Sequence, residues 1–249
     1  MQFDEAVRAL LSHGEGIASS GLGGAAHMAM IGALTTSDSI LGGRIVSALL
    51  DVGLEVTVIV DPTPTSEREA AIHSLRTGNR LPPISLPNVE RMEVKDHNLA
   101  AGLIAGAKFE MLVNAGTPHI CRTPLLGAAP YGIINCHPGR LPDFRGSCAV
   151  EHAVLQGRAV ANTVHVMTEG IDEGPIYAVE DVPLDRVASY EDLRVETYLS
   201  GFSLLSRTIK RIFSEGLQPS PQGEGRTYRP VSDAEMDRVI ELVANAKGN

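Results

Sequence analysis

Four short runs in this chain are strand-like without clear alternation: Met28-Ala29-Met30-Ile31, Glu55-Val56-Thr57-Val58-Ile59-Val60, Met111-Leu112-Val113 and Gly132-Ile133-Ile134. A strand with one solvated face alternates apolar and polar residues, whereas an unbroken apolar run is covered on both faces. Such strands belong to a parallel sheet whose crossovers lay helices on either side. Between the first two runs, Thr35-Thr36-Ser37-Asp38 offers cap residues to a helix extending to about Asp51, which completes a β-α-β opening. The expected fold class is therefore α/β, a Rossmann-like and mostly parallel sheet with helices on both faces.

The rest of the chain fits that plan. Residues 89–94 read as a short strand, 99–107 as a helix, 148–157 as a helix, and 163–167 and 176–182 as two further strands. Leu193, Leu204, Leu205, Ile209 and Ile212 recur at helical spacing and predict a long covering helix over residues 190–214. Residues 82–87 are Pro-rich and expected to be irregular. At the N-terminus, residues 2–13 could form a short amphipathic helix, followed by a Gly/Ser-rich linker over 14–24. Three parts are expected: an N-terminal helix and linker (1–27), the main domain (28–215), and a C-terminal loop and helix (216–249).

Composition removes several function classes. Lys and Arg total 21 against 30 Asp and Glu, a net charge of −9, and no basic run occurs. A nucleic-acid partner is therefore not expected, because phosphate contacts need clustered cations. The three cysteines, Cys121, Cys136 and Cys148, form neither a C-x-x-C pair nor an even set, so no disulfide framework or zinc site is expected. No apolar stretch approaches the roughly 20 residues of a membrane span, and the first residues lack the pattern of a signal peptide. These features predict a cytoplasmic protein with no membrane partner. They leave a homodimer open.

The chemistry gathers in two segments. Asn135-Cys136-His137-Pro138 follows the apolar run of residues 132–134, which places an amide and an imidazole at a strand's C-terminal end, where open α/β sheets bind ligands. Further on, Gly170-Ile171-Asp172-Glu173-Gly174-Pro175-Ile176 offers a carboxylate in a Gly-flanked turn. An amide, an imidazole and a carboxylate brought together can polarise a carbonyl and move a proton. Cys136 should face the other side of the strand and belong to the core. His165 reads as a packing histidine.

The order Asn135-x-His137-Pro138, Leu141-Pro142-x-x-Arg145-Gly146, Thr163-Val164-His165 and Asp172-x-Gly174-Pro175-Ile176 resembles the folate-dependent formyltransferases, over roughly residues 28–215. The resemblance implies a fold of formyltransferase type. It also implies an N-formyltransferase that moves a formyl group from 10-formyltetrahydrofolate to an amine, with no metal. Asn135, His137 and Asp172 would be catalytic. Asn135 would donate to the formyl oxygen, a contribution of about 100- to 1000-fold in rate. His137 would share that task or shuttle a proton, and Asp172 would orient His137 and help remove the ammonium proton. Folate would lie between His119-Ile120-Cys121 and the loop carrying Thr168, Gly170 and Ile171, held largely by backbone groups.

The acceptor is less legible. Glycinamide ribonucleotide transformylases carry a Gly-rich loop after the first strand, where this chain has Thr35-Thr36-Ser37-Asp38. They also carry a Gln and a Glu where this chain has Tyr198 and Gly201. Methionyl-tRNA formyltransferases add a C-terminal β-barrel of about a hundred residues, whereas 34 residues follow position 215 here. The expected acceptor is a small-molecule amine, such as an amino-sugar nucleotide or a specialised metabolite. Thr35, Thr36 and Ser37 are candidates to touch it, with a plain helix cap as their other reading. The alternative functions are hydrolysis of 10-formyltetrahydrofolate and non-catalytic folate binding.

Overall fold

The computed structural model describes residues 30–246. The expected N-terminal helix, its linker and the start of the first run at Met28-Ala29 lie outside the described residues. In chain order the elements are β1 (Ile31–Thr36), α1 (Gly42–Asp51), β2 (Val56–Asp61), α2 (Glu67–Thr77), β3 (Arg91–Glu93), α3 (Ala101–Gly106), β4 (Met111–Asn114) and β5 (Ile133–His137). There follow β6 (Arg145–Gly146), α4 (Ala149–Leu155), β7 (Ala161–Val166), β8 (Ile176–Asp181), α5 (Tyr190–Glu215), β9 (Thr227–Tyr228) and α6 (Asp233–Asn245).

Seven strands form one sheet in the order β3-β2-β1-β4-β5-β7-β8. The first five in that order run parallel, and β7 runs antiparallel between β5 and β8. This is the expected α/β, mostly parallel architecture. The chain leaves β1 for β2 on one side and later returns to β4 on the other, so a crevice opens at the carboxyl ends of β1 and β4. One sheet face packs on α1 and α5 through Val46, Leu49, Leu205 and Ile209. The other packs on α3 through Ile104, with Leu34, Ile59, Leu112 and Ile133 facing it. A third cluster joins Phe144 and Val150 to Leu193 of α5 and to Val239 and Val243 of α6. No helix among the described residues is long and apolar enough to cross a membrane.

Two local differences from the sequence reading have clear causes. β1 continues through Thr35 and Thr36, which pair with Val60 and Asp61 and are 0% and 2% exposed. β-branched threonines suit a strand, and the Thr36 hydroxyl is satisfied by Asp38 at 3.1 Å. The pair is therefore neither a helix cap nor open to an acceptor. Instead, the Ser39 hydroxyl accepts from the Gly42 N–H at the start of α1. The second difference is α2, absent from the sequence reading. Its signal was present in Ser66-x-x-Glu69, a capping box in which each side chain takes the other's backbone N–H. The helix carries mostly polar residues and buries only His73 and Thr77, so its apolar periodicity is weak.

Candidate active site

Alternation along β5 decides which side chains meet. Ile133 faces the α3 side and Ile134 the α5 side, so Asn135 and His137 share Ile133's face. Cys136 packs on the opposite core, and burial pushes its thiol up to about 12, which makes it an unreactive core residue as expected. Asn135 pairs in register with His165 of the antiparallel β7. The β7–β8 loop folds back over this face and carries Asp172. Asp172 has φ +55°, a left-handed conformation that Asp tolerates better than most residues. Gly174, two residues on, is a packing requirement, because a Cβ there would lie 1.7 Å from the Val166 carbonyl oxygen.

Asn135, His137 and Asp172 are thus brought into one cluster. His137 is 5% exposed. Its Nε2 lies 2.7 Å from the Phe144 carbonyl oxygen, which only accepts, so Nε2 carries a hydrogen. Nδ1 faces Asp172 Oδ2 at 3.3 Å. Nδ1 is therefore the ring nitrogen left to face the carboxylate, and each ring nitrogen has an oxygen within reach. Asp172 Oδ2 also accepts from the Gly146 N–H at 2.8 Å, and Gln222 Nε2 donates to the Asp172 carbonyl oxygen at 2.9 Å. These bonds hold the carboxylate over the sheet.

The orientation of the Asn135 amide follows from a directed chain of hydrogen bonds. Asn114 Oδ1 accepts from the backbone N–H groups of Gly116 and Thr117. Its Nδ2 then donates to Asn135 Oδ1 at 3.0 Å. Asn135 Nδ2 is left to donate to His165 Nε2 at 3.2 Å, while His165 Nδ1 donates to the Val166 carbonyl at 2.9 Å. An amide nitrogen carries two hydrogens, and the second can point at a carbonyl oxygen. Asn114 and His165 are therefore positioning residues that the sequence reading missed. Asn114 was legible only as the polar end of an apolar run, and His165 only as packing. His165 Nε2 also lies 3.6 Å from Asp172 Oδ1.

Burial pushes His165 down to about 4, against the pull of the Asp172 carboxylate. Unfolded, it titrates near 6.5, so between those values the unfolded chain binds the proton that the folded chain refuses. Stability from this group is complete above about pH 6.5 and declines as pH falls toward 4. We expect a loss of up to about 3 kcal/mol across that window, read from urea midpoints, with a flatter profile in His165→Gln. Equal slopes in the two proteins would exclude a buried neutral His165.

The two segments expected to wall a folate meet through the Thr123 hydroxyl, which donates to Glu169 Oε1 at 2.9 Å. Ile120 and Ile171, one on each segment, are 71% and 60% exposed. Thr168 donates to the Gly170 carbonyl within its own loop. Cys121 is buried, and burial raises its thiol to about 11. The His119 ring is engaged elsewhere, 3.3 Å from the Thr63 hydroxyl and 3.3 Å from Asp96 Oδ2. With Asp61 it brings three ligand-type atoms within 4.8 Å of one another. Both carboxylates in that group already accept loop N–H bonds, from Thr63 and His97 to Asp61 and from Leu99 to Asp96.

A cavity of about 190 Å³ opens over the ends of β4 and β5, lined by Asn114, Asn135, Ile45, Tyr198, Gly201 and Phe202. It lies at the crevice where the sheet order reverses, and its walls are mainly apolar.

Comparison with known proteins gives consistent results. The family model described as "Formyl transferase" matches residues 43–209. The methionyl-tRNA formyltransferase of Bacillus velezensis is 27% identical over 183 residues, covering 73% of this chain and 54% of the relative. The chain thus spans about half the length of that relative. Glycinamide ribonucleotide transformylase 1 from Symbiobacterium toebii superposes with a TM-score of 0.58 at 25% identity, covering 82% of this chain and 100% of that one. A sugar 3N-formyl transferase, solved in the presence of dTDP and 5-N-formyl-THF, shares the fold with a TM-score of 0.52 at 15% identity, over 83% of this chain and 72% of its own.

Proposed function

The chain belongs to the formyl transferase family, and from that premise we propose that it transfers a formyl group from 10-formyltetrahydrofolate to the amine of a small-molecule acceptor. The observation that carries the reading is the joining of Asn135, His137 and Asp172 at the carboxyl end of β5, with the amide direction set by Asn114 and His165. The donor supplies the formyl group, whose bond to folate N10 breaks as the bond to the acceptor nitrogen forms. Asn135 Nδ2 donates to the formyl oxygen as negative charge develops there. Asp172 and His137 Nδ1 take the proton from the attacking nitrogen and pass it on toward the leaving nitrogen.

The exposed Ile120 and Ile171, on loops tied together by Thr123 and Glu169, offer two apolar contacts for a flat ring system. Named relatives act on methionyl-tRNA, on glycinamide ribonucleotide or on sugars. For this chain, a small-molecule amine is favoured by Tyr198 and Phe202 lining the cavity beside Asn135, together with the net charge of −9.

Titration with 5-formyltetrahydrofolate, a stable analogue of the donor, tests the proposal. Saturable binding is expected, and it should weaken when Ile120 and Ile171 are both replaced by Asp. Absence of binding at millimolar ligand would overturn the donor assignment.

A further inference from the structure

On the other side of the Asn135–His137 strand end lies a cavity of about 210 Å³, lined among others by Arg76 of α2, His137, Gly146, Cys148 and Arg194 of α5. The cavity opens to solvent, yet its floor holds buried charge. Arg194 is 2% exposed and Glu151 of α4 is 0% exposed. Glu151 Oε1 lies 3.6 Å from Arg194 Nη1 and 3.7 Å from Arg76 Nε, and it accepts from the Tyr190 hydroxyl at 2.5 Å. Among the described residues, Glu151 is the one carboxylate within 4.0 Å of either guanidinium.

Burial opposes ionisation of Glu151, but Arg194 and Arg76 hold its carboxyl below the usual range, so it carries a full negative charge. Arg194 keeps its charge as well, because Tyr198 and Glu151 outweigh its burial. Two cations therefore face one anion, and one positive charge is unanswered. Two buried polar atoms of the group, Glu151 Oε2 and Arg194 Nε, lack a partner altogether. The surplus charge is that of Arg76, whose side chain is 23% exposed and reaches solvent at the cavity, whereas Arg194 Nε is a buried donor without an acceptor, which an anion could complete.

We propose that this cavity is the subsite for an anionic group of the acceptor, a carboxylate or a phosphate, held by Arg76 with Arg194 behind it. The assignment rests on the formyl-transfer reading and narrows its acceptor to amines that carry such a group. A planar guanidinium suits both anions because its N–H fork matches their oxygens. The placement also suits the chemistry. His137 lines the same cavity, and its ring contacts Asp172, so the cavity adjoins the groups assigned to the amine's proton. The Arg194 guanidinium donates to the Tyr198 hydroxyl at 2.8 Å and lies 5.0 Å from that ring's centroid. Tyr198 lines the apolar cavity beside Asn135, so the two cavities share a wall, and an acceptor could place its anion in one and its body in the other.

Isothermal titration of the full chain with inorganic phosphate and, separately, with acetate tests the subsite, alongside 5-formyltetrahydrofolate on the same preparation. At least one anion should bind saturably at low millimolar concentration, and the stronger of the two identifies phosphate or carboxylate as the recognised group. Arg76→Gln should weaken that anion by about ten-fold and change folate affinity less than about two-fold. If Arg76→Gln fails to fold, Arg76→Lys takes its place, keeping the charge but losing the fork, and should weaken binding by about three-fold. Failure of both anions to bind, or equal binding in wild type and variant, would overturn the subsite. Folate binding without anion binding defeats the subsite alone, whereas anion binding without folate binding defeats the donor assignment alone.

Discussion

His137→Ala is expected to lower turnover by about two to four orders of magnitude, the span typical of a lost proton-transfer group, while leaving 5-formyltetrahydrofolate affinity within a few-fold. The split arises because proton transfer and oxyanion stabilisation act on the transition state more than on the bound donor. Asn135→Ala should cost about 100- to 1000-fold, as expected for one oxyanion donor. For Asp172 the informative change is to Asn. That residue tolerates the left-handed φ of +55° and keeps an oxygen to accept the Gly146 N–H, so the loop holds its shape while the charge beside His137 is lost. Asp172→Asn should therefore fold like the wild type and lose turnover nearly as fully as His137→Ala. The double variant should lose little more than either single one, because the two groups handle one proton. Near wild-type turnover in His137→Ala, measured as release of tetrahydrofolate with a competent acceptor, would exclude the route through Nδ1.

Glu151→Ala should produce the largest loss of stability, about 3–5 kcal/mol, because it leaves the Arg194 guanidinium buried without its carboxylate and orphans the Tyr190 hydroxyl. For a chain of this length that corresponds to a fall of roughly 6–20 °C in Tm. Glu151→Gln separates two contributions. It preserves an acceptor for Tyr190 but not the charge, so a loss nearly as large as that of Ala would assign the effect to the ion pairs. The substitution should also make the Arg76–Arg194 cavity more positive, so inorganic phosphate should restore more of the melting temperature in the variants than it adds in the wild type. A loss below about 1 kcal/mol in Glu151→Ala would mean that water screens the cluster, as it does at exposed pairs such as Arg207–Glu180.

Much of this molecule was legible in one dimension because its signals are local. Asn135 and His137, two residues apart in a strand, had to share a face, and Cys136 had to take the other. The 26-residue α5 declared itself through Leu204, Leu205, Ile209 and Ile212, buried against the sheet, and Leu193, buried in the cluster with α4 and α6. The misses also have local causes. Thr35 and Thr36 read as a loop because threonine serves caps and strands alike. α2 was overlooked because its polar face hides the periodicity, although its capping box was in plain view.

The sequence by itself determined the α/β class, the order of nearly all the elements, and the gathering of an amide, an imidazole and a carboxylate at one strand end. Those properties depend on periodicities and spacings within single elements and on a motif order read along the chain. Only the tertiary structure decided that Asn114 and His165 orient the Asn135 amide, that His137 keeps Nδ1 for Asp172, and that Glu151 meets two arginines in the interior. Hydrogen-bond direction and buried charge are properties of pairs. The pairs that matter here, Asn114 with Asn135, Asn135 with His165, and Arg76 with Glu151, lie on different strands and helices. Which partners meet is set by strand register and helix packing, and neither can be read from one segment alone.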